Sequence, residues 1–178
     1  YPKSHTGSIR LRRGVGGSPE SVIRTAKLGV PIALAIIGGD PARFAPMAEL
    51  YRKILAQEGK EMLPVSIHSP GHIAETDEAA IEALWPHYAK AFRRIGRERG
   101  WGAINEQHYL AEVHHGSLYV GSPDTVARKI AYALQSVGAE RFDLKYSTGP
   151  MPHKDLMKSI ELYGAEVIPL VKALMKDT

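Results

Sequence analysis

Three junctions of one design most constrain what this chain can fold into. Gly16-Gly17-Ser18-Pro19-Glu20-Ser21, Gly38-Gly39-Asp40-Pro41 and Gly121-Ser122-Pro123-Asp124-Thr125 each join a β-type run to a helical stretch. In each, glycine frees the backbone, Ser or Asp stands where a helix N-cap belongs, and Pro fills the first helical position, whose N–H needs no partner. Strand–turn–helix units repeated in this way build a parallel sheet covered by helices, hence an α/β fold.

The segments between the junctions agree. Ile9-Arg10-Leu11 is a weak strand, residues 31–37 are a buried apolar run, and Leu63 to His68 alternates as a strand. Short strands are also expected at Leu118-Tyr119-Val120 and over 142–146. Helices are expected over 19–28, 41–58, about 77–98, 123–137 and 154–175 from apolar residues at three- and four-residue spacing. Thr76 is the expected N-cap of the long helix, with Asp77 and Glu78 suiting its dipole, and Pro86 should kink it. Residues 101–116 show the least regular pattern and are expected to be an excursion from the fold.

Composition narrows the function classes. The 178 residues are 44% hydrophobic and 24% charged, too apolar for disorder, and no apolar run approaches the roughly 20 residues a bilayer demands. One α/β domain over 1–178 is expected. Without cysteine there is no disulfide, thiolate metal site or cysteine nucleophile. No secretory apolar stretch is present near the start, so a cytoplasmic location is expected. The chain opens on Tyr1, as a processed or truncated chain would. Net charge is +4, with basic residues gathered in the first 27 positions and at Arg93, Arg94, Arg97 and Arg99. Aromatic residues are sparse and not interleaved with these cations, so solvated helix faces and anion-binding loops are expected rather than a nucleic-acid surface.

The loop from Gly14 to Ser21 suits an anion best. Its glycines admit close backbone approach, Ser18 and Ser21 add hydroxyls, and a helix N-terminus follows. A phosphate is the natural guest. It is neither a dinucleotide-binding fingerprint, since Pro19 stands where the third glycine belongs, nor a P-loop, since Gly-Lys-Ser/Thr is absent. His68 is expected at the C-terminal end of a strand, the edge where parallel α/β barrels carry their chemistry, and is the candidate catalytic residue. Pro70 and Gly71 separate His68 from His72, and His108, Glu112, His114 and His115 lack the spacing of a metal motif. No metal site is expected, and His153 is placed in a loop or cap.

Taken in order, Gly14-Val15-Gly16-Gly17-Ser18-Pro19-Glu20-Ser21-Val22, Ala35-Ile36-Ile37-Gly38-Gly39, Glu75-Thr76-Asp77-Glu78-Ala79 and Tyr119 to Ala127 resemble the luciferase-like monooxygenase family, flavin-dependent oxidoreductases on a (β/α)8 TIM barrel. The resemblance extends over nearly all of residues 14–172. It implies that reduced FMN, or the deazaflavin F420 in a related branch, reacts with O2 to oxidise a small organic substrate, with a separate flavin reductase as a partner. It also implies that the backbone N–H groups of Gly17 and Ser18, beside Gly16, and the hydroxyls of Ser18 and Ser21 hold the flavin phosphate, with His68 near the ring. Family members run about twice this length, and the chain corresponds to the C-terminal half of the barrel. A half-barrel exposes two sheet edges, so the chain is expected to be a fragment of a longer polypeptide or to pair as a homo-oligomer. The alternative is a flavin- or phosphate-binding relative, or a fragment, without turnover of its own.

Overall fold

The computed structural model describes residues 4, 5, 7, 9–100, 102 and 104–176, with the backbone alone for Arg99. Tyr1, Lys3 (one of the basic residues of the first 27 positions) and the Arg99 side chain lie outside the described residues.

The elements follow the alternation the junctions require. They are β1 (Arg13–Val15), α1 (Pro19–Leu28), β2 (Ile32–Ala35), a 3₁₀ turn (Pro41–Phe44) running into α2 (Ala45–Gln57), β3 (Val65–Ile73), α3 (Asp77–Arg99), α4 (Glu106–His115), β4 (Tyr119–Gly121), α5 (Pro123–Val137), β5 (Arg141–Lys145), α6 (His153–Leu162), one π-type turn (Tyr163–Val167) and α7 (Ile168–Leu174). All pairings are parallel: β1 with β2, β2 with β3, and β3 with both β4 and β5. Every strand therefore delivers its following loop to the same edge of the sheet.

Local chemistry sets the helix starts. Ser18, Thr76 and Ser122 each accept, through the side chain, a backbone N–H three residues on, and Pro19 and Pro123 take the first helical positions. Helix α5 then buries Val126, Ile130, Ala133, Leu134 and Val137. Burying a side chain the size of Ile130 contributes about 1.5–3 kcal/mol over leaving it in water. Helices α1, α2 and α5 share a core with Val65 and Ile67 of β3. A second cluster, with Leu84, Tyr88, Tyr109 and Val113, lies under α3 and α4.

Three expectations need correction. The first strand forms at Arg13–Val15 rather than at Ile9–Leu11, because Arg13 donates to Pro31 O at 2.8 Å and sets the register with β2, while Ile9 and Leu11 stay 71% and 68% exposed. Within the irregular stretch, Glu106–His115 is a helix, capped by Asn105 Oδ1 on His108 N at 2.8 Å. Its periodicity is weak because only Tyr109 and Val113 are buried. Finally, β3 does not stop at His68. It runs on through Pro70 and Gly71 because β4 pairs with Gly71–Ile73 and Ser159 Oγ accepts Ile73 N–H at 2.9 Å. Gly71 lies so close to the Tyr119 carbonyl that a Cβ could not fit.

Because side chains alternate along a strand, Val65 and Ile67 point to the helices while Ser66 and His68 point to the opposite face. The register places Ala35, His68 and Asp143 side by side there. Among the described residues, β1 pairs only with β2 and β5 only with β3, so both are open edges. Also among the described residues, no helix is long and apolar enough to cross a membrane.

Candidate functional site

The three glycine-bearing loops meet at one sheet edge, yet their backbone donors meet different fates. At Gly38-Gly39, the N–H of Gly39 donates to both carboxylate oxygens of Glu112, each at 3.0 Å, and Glu112 also accepts Ser117 N–H at 3.2 Å. At Gly121-Ser122, the N–H of Ser122 donates to Asp77 Oδ1 at 2.6 Å, and Thr125 Oγ1 donates to Asp77 Oδ2 at 2.9 Å. Burial pushes the Asp77 carboxyl up, but the bonds from Ser122 and Thr125 outweigh it and hold the group below its usual range. Two of the three loops thus bind an anion that the chain itself supplies from a distant element.

The Gly14–Ser21 loop differs. Ser18 caps α1 by accepting Ser21 N–H at 3.4 Å, and its hydroxyl donates to Glu20 Oε2 at 2.6 Å. That hydrogen bond, with further help from Arg24, keeps the exposed Glu20 carboxyl below its usual range. Among the described residues, no carboxylate from another element reaches this loop and nothing accepts from the N–H groups of Gly17 and Ser18. No atom lies within 4 Å of where a Gly16 side chain would begin. Free backbone donors, an open approach and a helix start make a fitting cradle for a phosphate.

His68 lies elsewhere, within the sheet. It sits mid-strand, half-buried, and lines a cleft of about 760 Å³ between α3 and the ends of β3 and β5. Gly16, Gly17, Ser18 and Ser21 do not line that cleft, so the structure groups the loop residues together and His68 apart from them. The cleft's other walls, unforeseen from the sequence, carry Lys90, Arg94 and Arg97 of α3, Lys145 of β5, and Thr148. The sequence shows Arg94 and Arg97 only as part of a basic cluster; the i, i+4, i+7 spacing of 90, 94 and 97 puts three cations on one helical stripe.

Four other histidines differ in their settings. His72 is 2% exposed, its Nδ1 has no partner among the described residues, and burial lowers its pKa. His114 and His115 are exposed at the end of α4, while Glu112 is committed to the Gly39 loop. His153 opens α6. Among the described residues, no group of three or more metal-ligating side chains could hold an ion.

Comparison with known proteins identifies the family and the fold. A family model described as luciferase-like monooxygenase matches residues 14–141. No curated protein matches. Among solved structures, the chain is similar to the monooxygenase RslO1 from Streptomyces bottropensis, with a TM-score of 0.70 and 18% identity over 92% of this chain and 48% of that one. It is similar to the oxygenating constituent of 3,6-diketocamphane monooxygenase from Pseudomonas putida, solved in complex with FMN, with a TM-score of 0.69 and 18% identity over 90% and 48%. It is also similar to the coenzyme F420-dependent tetrahydromethanopterin reductase of Methanopyrus kandleri, with a TM-score of 0.61 and 21% identity over 90% and 50%. At these identities the likeness shows the fold: a parallel α/β sheet of the (β/α)8-barrel type. The chain spans about half the length of these structures.

Proposed function

The chain belongs to the luciferase-like monooxygenase family, and from that premise we propose that it supplies the cofactor-phosphate loop and one substrate wall of a flavin-dependent monooxygenase. One observation carries the reading. Of three loops built alike on one sheet edge, the Gly14–Ser21 loop keeps its backbone donors clear of a carboxylate from any other element among the described residues. In the proposal, the N–H groups of Gly17 and Ser18 and the hydroxyls of Ser18 and Ser21 hold the phosphate of FMN, with Gly16 giving room for its approach. When bound, reduced flavin supplies the reducing equivalents with which O2 oxidises a small organic substrate. His68 faces the reaction side of the sheet, beside Asp143, which Arg141 holds through Nε at 2.7 Å.

The open edges at β1 and β5 support a further part of the proposal. The other half of the barrel, from the same polypeptide or a second copy, completes the sheet, and a separate reductase delivers reduced flavin. The experiment is a fluorescence titration with FMN and, in parallel, with F420. FMN binding that weakens about tenfold in Ser18→Ala/Ser21→Ala supports the reading. Binding of F420 alone reassigns the cofactor, and binding of neither overturns the proposal.

A further inference from the structure

We infer that the cleft lined by His68 takes a small organic anion, a carboxylate or sulfonate carried on an apolar body. Assigning that anion as substrate rests on the flavin-dependent reading above.

The volume, about 760 Å³, lies in the range of small-molecule sites. Its charge is one-sided. Lys90, Arg94 and Arg97 line it from one stripe of α3, Lys145 lines it from the end of β5, and among the described residues no Asp or Glu lines it. Among the described residues, none of these four cations has an ion-pair partner. All four are exposed at the rim of the concavity, whose wall continues into Phe92, which stacks on Tyr88 with ring centroids 4.3 Å apart. Like charges stacked along one helix repel, and an anion between them removes that repulsion.

A second, independent observation points to a ligand. Thr148 lines the same cleft at 5% exposure, and its hydroxyl has no partner among the described residues. A buried hydroxyl without a hydrogen bond is costly, and a turn of the side chain toward the cleft would let a ligand oxygen satisfy it. The Thr148 loop is held against the helix: Gly149, with φ of 77°, packs on the His87 carbonyl too closely for any side chain. The two charged walls therefore keep a set spacing. Cations at the rim and aromatic carbon on the wall together select an amphiphile over a bare inorganic ion.

The test is calorimetric titration of the purified protein with 4-phenylbutyrate, its uncharged analogue 4-phenylbutanol, and inorganic phosphate. The acid is expected to bind about tenfold more tightly than the alcohol, and more tightly than phosphate. Arg94→Gln/Arg97→Gln, and separately Lys145→Gln, weaken the acid several-fold. Arg93→Gln, which removes one charge from the same helix outside the cleft, as Lys145→Gln removes one inside it, does not. Equal affinity for acid and alcohol overturns the inference, as does phosphate binding as tightly as the acid. Loss in Arg93→Gln equal to that in the cleft variants overturns it too, and so does wild-type affinity in both cleft variants. A final arm repeats the titration in saturating FMN. Unchanged acid affinity keeps the cleft for substrate, whereas displacement by FMN assigns its cations to the cofactor and overturns the substrate assignment. None of the earlier arms contains flavin, so a failed FMN titration and a failed acid preference are separate results.

Discussion

Glu112 and Gly39, 73 residues apart, are joined by a backbone N–H that donates to both carboxylate oxygens at 3.0 Å. The bond fastens α4 to the loop after β2, and Ser117 N–H adds a second donor to the same carboxylate. It converts a loop that could have held an external anion into a structural joint.

Replacing Glu112 by Ala should therefore destabilise the fold by about 1–3 kcal/mol, since partly buried donors lose a charged acceptor. The midpoint of urea unfolding measures it. Glu112→Gln, which keeps one acceptor oxygen, should recover part of the loss.

Asp77 makes the matching joint at Ser122 and Thr125. Its carboxyl is held below the usual range, so the folded state favours the ionised form. That stability is present above about pH 4 and is lost as pH falls through the lowered folded value. Asp77→Asn should cost about 1 kcal/mol at pH 7, discounted for its partial exposure. The difference from wild type should shrink toward pH 3, which unfolding curves at the two pH values will show.

Lys129 gives a pH dependence in the alkaline range. Its Nζ donates to Val113 O at 2.5 Å and Leu118 O at 2.9 Å, and burial brings its pKa down to about 8 while Glu112 opposes the shift. Between about pH 8 and its unfolded value near 10.4, the unfolded chain holds the extra proton. Stability should therefore rise with pH across that window, by at most about 1.4 kcal/mol per unit. Lys129→Met should remove the rise, as followed by thermal unfolding between pH 7 and pH 10.

Glu20 competes with the proposed phosphate for the Ser18 hydroxyl. Glu20→Gln should tighten FMN binding roughly two- to fivefold at low ionic strength, an advantage that shrinks at about 0.5 M salt as the charges are screened. Fluorescence titration at two salt concentrations tests it. Weaker binding in Glu20→Gln would mean that the carboxylate orders the loop instead.

Much of the fold could be read from the chain. The helix over 123–137 forms where Ser122, Pro123 and five spaced apolar residues put it, because capping and amphipathic burial are local properties. Helix α4 escaped notice because two buried residues in ten leave almost no period. The run of β3 past Pro70 could not be read, because only a distant strand and Ser159 sustain it. The ordered loops also carried the family resemblance, and the candidate phosphate residues came from one contiguous segment.

The sequence by itself determined the strand–loop–helix alternation, the caps and the presence of three anion-ready loops, since these depend on residues within a few positions of one another. Tertiary structure alone decided which loop remains open. Glu112 and Asp77 reach their loops across 73 and 45 residues, and Lys145 meets the α3 cations only because β5 pairs with β3 in one register. Groups so distant along the chain act on one another only once packing has brought them together, where Coulomb forces and hydrogen bonding take hold.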